Sequence, residues 1–218
     1  VLLQEVCVDP VVAPAANAAA YLAARLAALT GRTWHHQYAQ THLYNNVTPE
    51  GVGLVHAFTP VGQAVRDLPS PEFPRKAVAS VFATPVGIVV AASSHFSPRT
   101  DNAAAREEQT KRLIDFMNEQ QNDRVALALI GADLNATPEQ APANLLTAAA
   151  FLDVWATAQP GSAGATHPSH SATRRIDYLF ARGSNVRVQQ ASVEFGQPYS
   201  GTSYVSDHRG VFGTLQVP

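Results

Sequence analysis

The sequence predicts an α/β domain in which two mixed β-sheets pack face to face with helices on the outside. Three observations carry this reading. Residues 125–130 form an unbroken apolar run rich in Val, Leu and Ile, the signature of a strand buried on both faces. Stretches of strand character outnumber helical ones by about ten to three, more β than a doubly wound sheet holds. They also interleave unevenly, with no repeat, linker or low-complexity segment between them, so residues 1–218 read as a single domain.

Residues 1–6 are a short apolar run carrying Gln4 and Glu5. A carboxylate there is costly to bury unless a metal or an Arg pairs it. Residues 13–29 are Ala-rich, with Leu22, Leu26 and Leu29 on one helical face and Gly31 as the stop. Residues 34–40 alternate loosely as a strand, 41–50 are polar and turn-rich, and 51–58 read as a strand opened by glycines. Three prolines make 61–74 a surface loop. Residues 77–83 and 87–96 form an antiparallel pair around Thr84-Pro85-Val86. Thr100 or Asp101 caps a helix that runs to about Glu119, its core face formed by Leu113, Phe116 and Met117. After the central run, Thr137-Pro138-Glu139-Gln140 reads as a helix start with Thr as N-cap and Pro at the first position. Residues 151–155 are short and apolar, and 159–173 are a loop too polar to bury. A strand then carries Asp177 at its beginning, a long strand covers 186–195, a loop covers 196–203, and 211–217 are the last strand.

Hydrophobic residues make up 46% and charged residues 15%, with a net charge of −2. Bulk charge therefore draws the chain neither to nucleic acid nor to an anionic membrane, and polyanion binding must come from a local patch. Lys76 and Lys111 are the only lysines among 15 basic residues, and Arg is the better fork for phosphate. A lone Cys7 excludes an internal disulfide and a thiolate metal cage. No apolar run approaches the length of a transmembrane helix, and no signal peptide is visible. A soluble monomer, secreted or cytoplasmic, is the expectation.

The chemistry gathers at predicted strand ends: Glu5, His95, Asp133, Asn135, Asp177, Asp207 and His208. Asp133 and Asn135, two apart, leave the same side of an extended backbone. Oxygen ligands dominate, which suits Mg²⁺, Mn²⁺ or Ca²⁺ better than Zn²⁺. Mg²⁺ is usually held by one or two carboxylates plus substrate phosphate, so a sparse protein shell is expected. His208 beside Asp207 reads as an imidazolium that stabilises charge at phosphorus. Asp133 or a metal would activate water for in-line attack. Taken singly, each also has an ordinary reading: Asp and Asn are turn formers, and Arg174-Arg175 is a solvated face. His35, His36, His42, His56, His167 and His170 have no partner spacing and read as surface or core residues.

In order along the chain, Gln4-Glu5, Ser94-His95-Phe96, Gly131-Ala132-Asp133-Leu134-Asn135 followed by Thr137-Pro138, Arg175-Ile176-Asp177-Tyr178 and Ser206-Asp207-His208-Arg209 resemble the motifs of the endonuclease/exonuclease/phosphatase superfamily, the deoxyribonuclease I-like fold. Arg75-Lys76 and residues 51–58 look like that family's middle strands. The resemblance covers nearly the whole chain. It implies a four-layer αββα sandwich of two mixed sheets flanked by helices, and metal-dependent cleavage of a phosphoester. Glu5 and Asp207 would hold Mg²⁺ or Mn²⁺, with Ca²⁺ as a further candidate. Asp133 and Asn135 would position or activate water and bind phosphate. His95 and His208 would contact the scissile phosphate, oriented by Asp177 and Asp207, with Asp207 behind His208. Arg99 and Arg175 would add substrate contacts.

The implied activity is that of a phosphodiesterase, foremost a nuclease acting on DNA. The alternatives are a phosphatase or phospholipase-type esterase acting on a phosphoinositide, sphingomyelin or nucleotide, and a non-catalytic binding module that keeps the fold. Neither a basic stripe nor an exposed aromatic hairpin is apparent in the sequence. Two departures stand out. Leu134 lies where the family usually has Phe, and the family's first strand, carrying an Asn beside the metal, would precede Val1. The expectation is that the natural polypeptide begins upstream of Val1 with that strand.

Overall fold

The computed structural model describes residues 1–8, 16–120 and 124–218. In chain order its elements are β1 (Leu2–Cys7), α1 (Ala18–Thr30), β2 (His35–Tyr44), β3 (Thr48–His56), β4 (Pro60–Leu68), β5 (Arg75–Thr84), β6 (Gly87–His95), α2 (Ala103–Glu119), β7 (Val125–Asp133), α3 (Ala141–Ala148), β8 (Leu152–Asp153), α4 (Val154–Ala158), β9 (Asp177–Arg182), β10 (Arg187–Glu194) and β11 (Gly210–Gln216). One sheet has the order β4-β5-β6-β7-β9-β8, a second β1-β3-β2, and β10-β11 form a ribbon of their own.

Burial sorts these elements into layers. Leu113, Phe116 and Met117 of α2 and Leu146 of α3 cover one face of the six-stranded sheet, packing on Val90, Ile130 and Phe180. Its other face meets the three-stranded sheet through Val52, Leu54, Val78, Phe82 and Ala91. On the far side of that sheet, Ala19 and Ala23 of α1 pack on Val6 and Val55. The order is helix, sheet, sheet, helix. The central run became β7, with β6 parallel on one side and β9 antiparallel on the other, as a strand apolar on both faces requires.

Three devices seat β1 against the larger sheet. The Gln4 amide donates to Ser93 Oγ at 2.9 Å and to Gly131 O at 3.2 Å. Ser93 Oγ donates to Leu3 O at 2.8 Å. Gly131 lets the sheets approach closely, because a Cβ there would sit 2.6 Å from the Leu2 side chain. The β1–β3 register slips between Leu3 and Val6, and in this bulge Glu5 adopts φ 52. Among the described strands β1 pairs with β3 alone.

Several elements differ from the sequence reading. Residues 60–68 form strand β4, with burial alternating along it. It is an edge strand, where Pro60 at the start is tolerated and Pro69, Pro71 and Pro74 fall beyond its end. Polar residues 41–50 are mostly hairpin, because Asn45 and Asn46, at φ 50 and 58, together with Val47 form a three-residue connection between Tyr44 and Thr48. Leu43, Tyr44 and Val47 at this tip are exposed. The Gln140 side chain accepts from Thr137 N at 2.8 Å, which is half of the expected capping box. It closes a separate turn, and α3 starts only at Ala141, with Pro142 in its first turn. Helix α1 is capped by Asn17 and stopped by Gly31 at φ 66, with Leu29 74% exposed; the earlier part of its expected span, 13–15, lies outside the described residues. Asn102 precedes α2, so neither Thr100 nor Asp101 is its cap. In the polar loop 159–173, Thr166 and Ser169 are buried. Their hydrogen bonds to the chain around Asp177 and Asp207 offset the desolvation cost.

Gly131→Ala is expected to destabilise the fold by about 1–3 kcal/mol through overpacking against Leu2, read as a lower denaturant midpoint. An unchanged midpoint would mean that β1 is not held by this contact.

Candidate active site

Strand register makes the site. Parallel pairing sets His95 of β6 beside Asp133 of β7, and antiparallel pairing sets Asp177 of β9 on the other side of Asp133. His95 is 5% and Asp133 4% exposed, so their polar atoms need protein partners. His95 Nε2 lies 3.4 Å from Asp133 Oδ2. Asn135 does not continue an extended strand: it sits at φ 48, a conformation Asn tolerates better than most residues. Its backbone N donates to Asp133 Oδ1 at 2.7 Å. Its amide nitrogen donates to Phe96 O at 3.1 Å and lies 3.3 Å from both Asp133 Oδ2 and His95 Nε2. Asp133 and Asn135 thus converge through a tight turn.

His208 arrives from the opposite side, ahead of β11. Its Nδ1 lies 2.9 Å from Asp177 Oδ2 and 3.1 Å from Oδ1. Asp177, not Asp207, stands behind this imidazole. Asp177 is itself held by Thr166, whose Oγ1 accepts from Ile176 N and Asp177 N. Asp207 is exposed and points its carboxylate toward the same space, where it raises the pKa of Glu5.

The charges are strongly coupled. Burial lifts the Asp133 carboxyl well above the usual carboxylate range, and Asp177 opposite adds to it. Burial works against a charge on His208, yet the hydrogen bond and charge of Asp177, then Asp133 and Asp207, push this imidazole up to about 9. His95 goes the other way. Burial, with Arg75 and His208 nearby, holds it well below 6.5 and so neutral at pH 7. Burial, then Glu50 and Asp207, raise Glu5.

Four further residues border this site that the sequence reading did not place in it. Glu50, at 6% exposure, enters from β3, and His42 lies 3.5 Å from it with its ring stacked on Phe73. Arg75, at 3% exposure, is surrounded by the charges of Glu50, Asp133, Glu72 and Glu5. Its Nε nonetheless has no hydrogen-bond partner among the described residues, and its guanidinium rests 5.8 Å from the Phe73 ring centroid. The His167 ring centroid is 4.6 Å from that of His208. Of the four, only Arg75, just before a predicted strand, fell in a stretch that resembles the family.

The two arginines expected as substrate contacts are engaged elsewhere. Arg99 pairs with Asp101 at 2.8 Å on the surface. Arg175 is buried and pairs with Asp153 at 2.6 Å, with its guanidinium over the Tyr178 ring.

Ligand atoms of Glu5, Glu50 and His95 lie within 4.8 Å of one another, as do those of Asp133, Asp177 and His208. The first group is rich in carboxylate oxygen and its acids are crowded, with the Glu5 and Glu50 carboxyls both raised chiefly by burial. A divalent cation relieves that crowding, so these residues fit one.

The sequence profile of the Endonuclease/Exonuclease/phosphatase family matches residues 1–208. No curated protein matches the sequence. Among solved structures, an endonuclease/exonuclease/phosphatase family protein from Leptotrichia buccalis C-1013-b is 20% identical, with a TM-score of 0.75 over 99% of this chain and 86% of that one. D. rerio TDP2 complexed with single strand DNA product is 15% identical, with a TM-score of 0.71 over 99% and 85%. The Bacteroides thetaiotaomicron VPI-5482 mannosyl-6-phosphatase Bt3783 is 15% identical, with a TM-score of 0.64 over 91% and 82%. At these identities the likeness is one of fold. No described helix is long and apolar enough to cross a membrane.

Asp177→Asn is expected to bring His208 down from about 9 toward 6.5, measured by NMR titration of its ring protons. The sign follows from linkage. His208 binds its proton more tightly folded than unfolded, so this contribution to stability is full below pH 6.5 and is lost as the pH rises through about 9. An unmoved His208 titration in the variant would remove Asp177 as the cause.

Proposed function

The chain belongs to the endonuclease/exonuclease/phosphatase family, and from that premise we propose that it is a divalent-cation-dependent phosphodiesterase that cleaves by in-line attack of water, with DNA as its first substrate class. The observation that carries this reading is the level row of His95, Asp133 and Asp177 across three strands, with Asn135 and His208 bonded into it.

Asp133, its pKa raised by burial, is suited to take a proton from the attacking water near neutral pH. Asn135 orients that water and the phosphate through its amide. His208, charged at pH 7, stabilises the negative charge that builds on the phosphoryl oxygens, and Asp177 holds its ring in place. Neutral His95 donates or accepts a hydrogen bond without adding charge. Arg75 supplies a buried positive charge beside the acids. Glu5 and Asp207, with Glu50 adjacent, would hold Mg²⁺ or Mn²⁺, and Ca²⁺ suits the same oxygen set. When bound, such an ion supplies positive charge to the substrate phosphate. Arg99 and Arg175 remain candidate substrate contacts only if their present ion pairs open.

DNA ranks first because the fold relative D. rerio TDP2 is described in complex with single strand DNA product. A phosphomonoester is the second reading, supported by the mannosyl-6-phosphatase relative. Comparing rates on plasmid DNA, a sugar or nucleotide monophosphate and phospholipid vesicles separates these classes, and activity on none of them with Mg²⁺ or Mn²⁺ present would favour a binding module.

Two outcomes test the assigned roles. Asp133→Asn is expected to lower turnover on the order of 10²–10³-fold while the thermal midpoint holds; equal loss of both would assign Asp133 to the fold. Glu5→Gln is expected to weaken Mg²⁺ binding in isothermal titration, because an amide lacks the full charge a hard ion requires. Wild-type affinity in that variant would remove Glu5 from the ligands.

A further inference from the structure

We propose that His167, Asp207 and His208 form a second metal site, selective for a transition metal such as Zn²⁺ over Mg²⁺, whose occupation blocks hydrolysis. The blocking rests on the function proposed above, since it shares Asp207 and His208 with that reaction; the site itself does not.

The ligand atoms of these three residues all lie within 4.8 Å of one another. Small side-chain rotations therefore bring them onto one ion. Asp207 is exposed and both histidines are half-buried, so an ion reaches them from solvent. The donor set is two imidazoles and one carboxylate. Imidazole nitrogen suits Zn²⁺ and its neighbours, whereas Mg²⁺ prefers oxygen and gives up its water reluctantly. This composition differs from the carboxylate-rich group around Glu5 and Glu50.

Two further features fit a ligand set. His208 already turns Nδ1 to the Asp177 carboxylate at 2.9 Å, which leaves Nε2 as its metal-binding nitrogen, its proton passing to solvent as the ion binds. This is the carboxylate–histidine arrangement that fixes the orientation of metal-binding imidazoles. The backbone that carries the three residues is also tied together. Ser169 N donates to Asp207 O at 2.7 Å, Arg209 N to Thr166 O at 2.8 Å, and Ser169 Oγ to Ser206 O at 2.6 Å. Arg209 adds two bonds from its guanidinium to Ser169 O. The segment bearing His167 is thereby held against the segment bearing Asp207 and His208, and little ordering remains to be done on binding. Exposed Arg174 lies 3.2 Å from His167 Nδ1, a contact that yields where that nitrogen takes the ion and stays where Nε2 does.

Isothermal titration with ZnCl₂ and with MgCl₂ tests the site, and Co²⁺ as a substitute gives a visible absorption band that reports ligand number without turnover. His167→Phe, which keeps a ring against His208, is expected to lose Zn²⁺ affinity roughly 10–100-fold and to weaken the Co²⁺ band, with Mg²⁺ affinity unchanged. In assays saturated with Mg²⁺, Zn²⁺ is expected to inhibit the wild type and to lose its hold on the variant. Equal Zn²⁺ affinity and an identical Co²⁺ spectrum in wild type and variant would overturn the site. Zn²⁺ bound through His167 with hydrolysis undisturbed would uphold the site and overturn the shared use of Asp207 and His208, a failure of the catalytic reading and not of the metal site.

Discussion

Two carboxylates face each other across neighbouring strands at the buried end of a sheet, and the rest of the molecule is arranged around tolerating them. Asp133 and Asp177 are direct cross-strand partners. Like charges in that position destabilise a sheet, and burial adds a desolvation cost. Three responses are visible. Asn135 N and its amide bond Asp133, the His208 ring bonds Asp177, and the Asp133 carboxyl is raised so that its charge is easily surrendered. Such a pair is unfavourable for folding alone, and groups of this kind concentrate where chemistry is done. The helix between the parallel strands matters to the same end. Helix α2 makes the crossover from β6 to β7 possible, and without that pairing His95 would not stand level with Asp133.

Glu5 shows the same tension on the facing sheet. A non-glycine residue in the left-handed region costs about 1–2 kcal/mol, and Glu5 stands there at φ 52. The bulge turns its carboxylate out of a half-buried strand and toward the other acids. Neighbouring bonds hold the strand in place: Gln4, one residue earlier, reaches across to Ser93 and Gly131. One residue thus locks the sheets together while the next is held in a strained conformation, the pattern expected where local strain is retained for function.

The segment after His95 is fixed from the helix side. Gln109, fully buried on α2, accepts from Ser97 N and donates to Ser97 Oγ and Pro69 O. Buried Arg106 donates to the carbonyls of Ser97 and Arg99. These bonds satisfy backbone groups that would otherwise be stranded in the interior. They also hold Phe96, whose carbonyl receives the Asn135 amide. The polar face of α2 therefore acts on the site through two intervening residues, while its apolar face fills the core.

By itself the sequence determined the elements whose signal is local. The doubly buried strand at 125–130, the antiparallel pair around 84–86, the α2 core face at Leu113, Phe116 and Met117, and Asp177 at the head of a strand all follow from periodicity and turn chemistry within a few residues. It also named Glu5, His95, Asp133, Asn135, Asp177, Asp207 and His208 as one set, since each lies at a strand end within a recognisable motif. Where local signals compete, the sequence was ambiguous. Proline density hid strand β4, whose prolines lie at and beyond its ends, and polar composition hid the hairpin closed by Asn45 and Asn46. Only the tertiary structure decided the partners. Pairing register made Asp177 the neighbour of Asp133, β1–β3 pairing brought Glu50 to Glu5, and sheet stacking brought Arg75 to both. Loop 166–171, bonded to 206–209, set His167 against His208. These contacts join residues tens of positions apart, and no periodicity along a chain encodes which strand will lie beside which, because that choice is made by the burial of whole faces.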